Sequence, residues 1–190
     1  RVIALGGEDD IVFYNRGIAN YRLKAYEQAI ADYDQAIEID PDYAYAYNNR
    51  GKVFFDLGDN ERAIEDYDRA IELDSQYETA FYNRGIAYHN LGDYEQAIAD
   101  YDRAIELDSN YGNAFNNRGN AYLDIGNYKL AIDDFDRAIE IESQDTKAIS
   151  NRGIAHYNLG DLQEAIADFS LAIEINPEDA IAHNNRGAKG

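Results

Sequence analysis

The chain of 190 residues has no cysteine, no methionine and no tryptophan, and only two prolines. Without cysteine there is no disulfide framework, no thiolate metal site and no cysteine nucleophile. No uncharged apolar run approaches the roughly 20 residues that cross a bilayer. Basic residues are scarce, 17 against 37 acidic ones, for a formal charge of −20. A nucleic-acid partner needs clustered Lys and Arg against its phosphates, so that class is disfavoured, and anionic membrane surfaces with it. Histidine is also rare: His89, His156 and His183 are scattered, and His156 and His183 stand where other repeats carry core aromatics. No phosphate loop, metal-ligand spacing or nucleophile elbow is present. The reading is a chain with no catalytic residues, no metal and no cofactor.

What the chain does have is a period. Asn15-Arg16-Gly17, Asn49-Arg50-Gly51, Asn83-Arg84-Gly85, Asn117-Arg118-Gly119, Asn151-Arg152-Gly153 and Asn185-Arg186-Gly187 recur every 34 residues. A fixed period of this size marks a stack of small units in which each touches its neighbours. In the unit 44–77, Tyr47, Val53, Phe54 and Leu57 have helical spacing, as do Ala63, Ile64, Tyr67, Ala70, Ile71 and Leu73. Gly58 between the two runs suits a left-handed helix end, and Asp59 can cap the next helix. Asp93-Tyr94-Glu95-Gln96 has capping-box spacing. Pro41 and Pro177 share one repeat phase, which marks the exit from the second helix. Each unit is therefore expected to be two short antiparallel helices.

Columns of small and aromatic residues specify how these helices meet. Gly17, Gly51, Gly85, Gly119 and Gly153 fall mid-helix, where glycine costs about 1 kcal/mol relative to alanine. A close approach must offset that cost, and the alanine columns through Ala29 and Ala36 on the second helix are its expected partners. Phe13, Tyr47, Phe81 and Phe115 on first helices, with Tyr33, Tyr67, Tyr101, Phe135 and Phe169 on second helices, fill the remaining core.

Aromatic, glycine, aromatic, alanine, aromatic, alanine and proline columns at period 34 resemble the tetratricopeptide repeat over practically the whole chain. The resemblance implies an all-α, right-handed superhelical solenoid of antiparallel helix pairs. Its first helices would line a concave groove that receives peptides or partner proteins. The Asn-Arg-Gly form resembles many bacterial arrays. Arginine stands where the family usually carries leucine. Complete units are expected at 10–43, 44–77, 78–111, 112–145 and 146–179. Residues 1–9 read as the tail of a preceding unit and 180–190 as the first helix of a truncated sixth. This would make the chain an excerpt of a longer array without capping repeats.

The arginine register places it at the helix–helix seam. A second-helix acid column, Asp32, Asp66, Asp100, Asp134 and Asp168, is followed two residues on by Asp34, Asp68, Asp102 and Asp136. A guanidinium cannot lose its charge and needs such partners when half-buried, so a ladder of internal Arg–Asp pairs is expected. The asparagines lie one helical step away, on the face the resemblance turns toward the groove. Asn15, Asn49, Asn83, Asn117 and Asn151 would either hydrogen-bond the backbone of an extended peptide or bond the neighbouring helix. Around them, helical spacing places Tyr14, Asn48, Tyr82, Asn116 and Ser150, then Ile18, Lys52, Ile86, Asn120 and Ile154, then Tyr21, Phe55, His89, Leu123 and Tyr157. The candidate peptide-binding residues are the five asparagines with Tyr14, Tyr82, Ile18, Ile86, Ile154, Tyr21, Phe55 and Tyr157. Relatives that clamp the carboxylate of chaperone tails use paired Lys and Arg where this chain has Tyr, Asn and Ser, which disfavours that partner. The expected function is a protein-binding scaffold. Self-assembly end to end, and the recognition arm of a larger enzyme, are the alternatives.

Overall fold

A computed structural model describes residues 9–177, and among these the chain is all helical with no strand. Ten helices follow in order: α1 Asp9–Arg22, α2 Tyr26–Ile39, α3 Ala44–Asp56, α4 Asn60–Leu73, α5 Glu78–Leu91, α6 Tyr94–Leu107, α7 Gly112–Asp124, α8 Tyr128–Ile141, α9 Thr146–Leu159 and α10 Leu162–Ile175. The chain groups into two compact units, one ending at Asp93 and one beginning at Tyr94. In the first, α1 packs on α2, α3 on α4, and each pair on the helix that follows it. In the second, α7 packs on α8 and α9 on α10. The expected tail over 1–9 (apart from Asp9) and the sixth-unit helix over 180–190, with His183, Asn185, Arg186 and Gly187, lie outside the described residues.

The turn inside each pair is made as the glycines require. Gly58, Gly92, Gly126 and Gly160 have φ between 79° and 92°. At the same phase, in the turn two residues past the end of α1, stands Lys24, the one described non-glycine residue with positive φ, at 58°. A side chain pays for that conformation with about 1–2 kcal/mol of crowding, which glycine avoids at some cost in unfolded-chain entropy. Lys24→Gly is therefore expected to stabilise the α1–α2 pair by about 0.5–1 kcal/mol, seen as a higher urea midpoint. Asp59 caps α4 by accepting from the Arg62 N–H at 3.0 Å. Pro41 and Pro177 follow α2 and α10 by two residues, the helix exits expected for them.

Within a pair, residues sixteen apart face each other. A Cβ on Gly17 would lie 2.6 Å from the Tyr33 ring, one on Gly119 2.7 Å from Phe135, and one on Gly153 2.7 Å from Phe169. This corrects the expected glycine–alanine seam. The glycine makes room chiefly for the edge of a second-helix aromatic ring, and Gly51 also comes near an alanine, the Ala63 backbone oxygen. A flat ring inserts between two helix backbones where a rounder side chain would push them apart. The alanine columns are buried, with Ala29, Ala63, Ala97 and Ala131 at 0% exposure. They let the ring sit flush against its own helix.

Candidate functional site

The seam carries the arginines. Arg16 reaches Asp32 at 2.5 Å. Arg50 reaches Asp66 at 2.6 Å and Asp34 at 2.5 Å, sixteen residues downstream and sixteen upstream. Arg118 does the same with Asp134 and Asp102, both at 2.5 Å, and Arg152 with Asp168 and Asp136. Arg84 reaches Asp68 at 2.6 Å. The expected ladder is present in these pairs, and its logic is symmetric: in Asp32/Asp34, Asp66/Asp68 and Asp134/Asp136 one aspartate serves its own repeat and the other serves the next. The guanidinium carbons of Arg50 and Arg118 also lie 5.5 Å from the Tyr47 and Phe115 ring centroids, a cation–π contact on the same helix.

Burial would lower the pKa of Arg50 and Arg118, but bonds from their own unit's aspartate, then from the preceding one, turn the net shift upward. Asp66 and Asp134 are also shifted upward, first by burial, which the guanidinium offsets only in part. The two upward shifts have opposite origins, the aspartates for the arginine and burial for the acid. The Asp66 side chain is 8% exposed against 20% for Arg50, so desolvation falls hardest on the acid.

The asparagines behave differently. Asn49 donates to the Tyr14 hydroxyl at 3.0 Å and Asn83 to the Asn48 carbonyl at 2.9 Å, each reaching back to the preceding first helix. Asn151 donates to Asn120 at 2.8 Å. Asn49, Asn83, Asn117 and Asn151 are half-buried, and Asn15 is exposed. The carbonyl oxygens of Asn83 and Asn151 have no partner among the described residues, so these amides bond the neighbouring helix and keep acceptor capacity as well. Three residues read onto the open face lie elsewhere: Asn48, Asn116 and Ser150 are 3%, 8% and 3% exposed. Their column turns into the contact with the adjacent first helix, where a shorter polar residue is covered by its neighbour.

In the first unit, Ile18, Tyr21 and Asn49 come together with Arg22, Tyr33 and Lys52 around an open cleft of about 270 Å³. The Tyr21 hydroxyl donates to Asp56 at 2.6 Å, and the Lys52 ammonium lies 5.4 Å from the Tyr21 ring centroid. Tyr14, Tyr82, Ile86, Phe55 and Ile154 are half-buried and Tyr157 is exposed. Sequence reasoning missed the tyrosines leading into the first helices. Tyr43 packs tilted against Tyr14 and Tyr77 edge-on against Tyr45, each pair with ring centroids 4.9 Å apart. Burial pushes the Tyr43 phenol up to about 12. Tyr43, Tyr77 and Tyr111 share one phase, the signal that would have found them. His156 stands 3.7 Å from Asp161. No group of acids and histidines spaced to hold a metal occurs among the described residues, and no described helix is long and apolar enough to cross a membrane.

With that geometry in place, comparison with known proteins is specific. The TPR repeat profile matches residues 21–58 and 51–92, and the tetratricopeptide repeat profile matches 79–111, 112–145 and 146–179. No curated protein sequence matches the chain. Among solved structures, MamA is 26% identical with a TM-score of 0.81, covering 92% of this chain and 95% of its own. YrrB, described as a TPR protein with an unusual peptide-binding site, is 25% identical with a TM-score of 0.78, covering 93% and 91%. MamA from Desulfovibrio magneticus RS-1 is 17% identical with a TM-score of 0.83 over 92% and 98%, a likeness of fold alone. Matched over most of its length by the repeat and folded as helix pairs like these structures, the chain belongs to the tetratricopeptide repeat family.

Proposed function

We propose that the chain is a non-catalytic scaffold that holds an extended segment of another protein along the face of its first helices. Tetratricopeptide proteins bind protein or peptide partners, and YrrB, similar over nearly the whole chain, has a peptide-binding site. The observation that carries the reading is the asparagine column. Its amides are partly exposed, repeat once per unit, and retain carbonyl acceptors at Asn83 and Asn151. An amide matches a peptide backbone without reading its side chains. The tyrosines and isoleucines beside it, Tyr14, Tyr82, Ile18, Ile86 and Ile154, add apolar contact area at low entropic cost. The acidic surface favours a neutral or basic segment and speeds its approach, an effect that salt weakens.

The test uses peptides selected from a random decapeptide display library on the intact protein. Asn83→Ala combined with Asn117→Ala is expected to weaken binding at least tenfold at a temperature where both proteins are fully folded. Unchanged affinity would assign the asparagines to the scaffold. Self-assembly has its own observation: Ile11 and Val12 in α1 are 48% and 61% exposed, and Leu162 and Ile166 in α10 are each 51% exposed. Concentration-dependent growth in sedimentation, with no selectable peptide, would favour that second reading.

A further inference from the structure

One polar cluster in the second unit breaks the pattern of the asparagine column. Asn49 and Asn83 each donate to the residue 35 positions upstream, Tyr14 and Asn48. The same step from Asn151 leads to Asn116. Instead, Asn151 donates to Asn120, one helical turn further along α7. The Asn116 Oδ1 atom is left buried with no hydrogen-bond partner, and so is the hydroxyl of Ser150, next to Asn151. The whole Asn116 residue is only 8% exposed, so neither solvent nor a ligand reaches that oxygen without a rearrangement. Asn120, by contrast, is half-exposed. A buried carbonyl without a donor is a standing cost that native proteins rarely carry unexplained.

The two facts fit one explanation. Asn116 and Asn120 are four residues apart on α7, hence on the same helix face, and present two alternative acceptors to one amide. The first is the one used at the equivalent step in the other unit; the second is the one used here. We propose that Asn120 is a ligand-reading residue: its carbonyl oxygen accepts an N–H from a bound peptide while Asn151 transfers its own hydrogen bond to Asn116. Binding then gains a hydrogen bond to the ligand and relieves the buried carbonyl, whereas without Asn116 the displaced Asn151 amide has nowhere to go. The ligand group is an amide N–H, from a carboxamide side chain or from the peptide backbone. Helical spacing puts Asn116 and Asn120 on the groove face but neither is among the candidate peptide-binding residues, because their roles depend on which of two turns the neighbouring amide chooses. The inference rests on the peptide-scaffold reading and adds a specific subsite to it.

The test follows the side-chain amide signals of the intact, isotope-labelled protein by NMR during titration with N-acetylglutamine methylamide, with the glutamate and alanine analogues in parallel. The Asn120 and Asn151 signals are expected to shift. A response to the glutamine probe alone identifies a side-chain carboxamide, and an equal response to all three identifies the backbone amide. Asn116→Leu is expected to weaken the response about 3–10-fold, the worth of one net hydrogen bond, while raising the Tm because the unpartnered carbonyl is gone. If that variant does not fold, Asn116→Ala supplies the same test, because alanine likewise offers no acceptor. Shifts at Asn49 and Asn83 with none at Asn120 and Asn151, or affinity unchanged in the Asn116 variant, would overturn the relay and leave the scaffold reading standing. Silence from every asparagine would overturn both.

Discussion

Arg118→Ala is expected to destabilise the second unit by about 3–5 kcal/mol at neutral pH, the cost of leaving a buried charge without its partner. The substitution strands Asp134, whose side chain is 6% exposed, far more than Asp102, which is 48% exposed. Asp134 is already shifted upward by burial, with Arg118 holding the shift in check, so removing the guanidinium raises it further. A carboxyl whose folded pKa lies above its unfolded value contributes stability that is full below the unfolded pKa and is lost as pH rises through the folded one. The deficit of the variant should therefore be largest at neutral pH and shrink on acidification. Thermal melts of both proteins between pH 4 and pH 7 measure this. A deficit independent of pH would mean that only packing against Phe115 had been lost. Arg118→Leu with Asp134→Asn should recover much of the loss, because leucine fills the stem's place and asparagine carries no charge.

Gly119→Leu is expected to cost about 3 kcal/mol or more and to lower the Tm by several degrees. Its Cβ alone would stand 2.7 Å from Phe135 Cε1, and three further carbons have no place between α7 and α8. Gly119→Ala separates two effects of opposite sign. Alanine favours the helix by about 1 kcal/mol, but a fully buried ring cannot retreat easily, so a net loss of about 1–2 kcal/mol is expected. Pairing Gly119→Ala with Phe135→Leu should cost less than the sum of the two single changes, because the smaller side chain vacates the space that the new methyl takes. Strict additivity would show that the ring does not govern the glycine.

Much of the fold was legible because period 34 repeats every local signal. Gly58, Gly92, Gly126 and Gly160 mark the turns, Pro41 and Pro177 mark exits, and the Asp-x-Asp column anticipates the arginine pairs. The glycine's partner was not legible, because composition identifies a small residue but not what occupies the space it leaves. Alanine and the aromatic ring lie four residues apart on the second helix, and only the pair's register chooses between them. The site was read less completely. Helical spacing placed Ile18, Tyr21 and Asn49 together, yet put Asn48, Asn116 and Ser150 in the open. A spacing argument treats a helix as isolated, and those three positions are covered by the adjacent first helix. The choice between Asn116 and Asn120 is a matter of one turn that no periodicity encodes.

The Arg–Asp ladder also assigns two different free energies to two neighbouring residues. In a repeat array, melting is governed by how stable each unit is alone and by how strongly it is coupled to the next. Asp66, Asp134 and Asp168 hold the first quantity in buried pairs, with side chains 6–8% exposed. Asp34, Asp68, Asp102 and Asp136 hold part of the second, with side chains 46–50% exposed. Mobile ions screen half-exposed pairs far more than buried ones. Rising ionic strength should therefore loosen the coupling while leaving each unit nearly intact, so that the array frays from a single cooperative transition toward several smaller ones. Salt would then set how many repeats melt together.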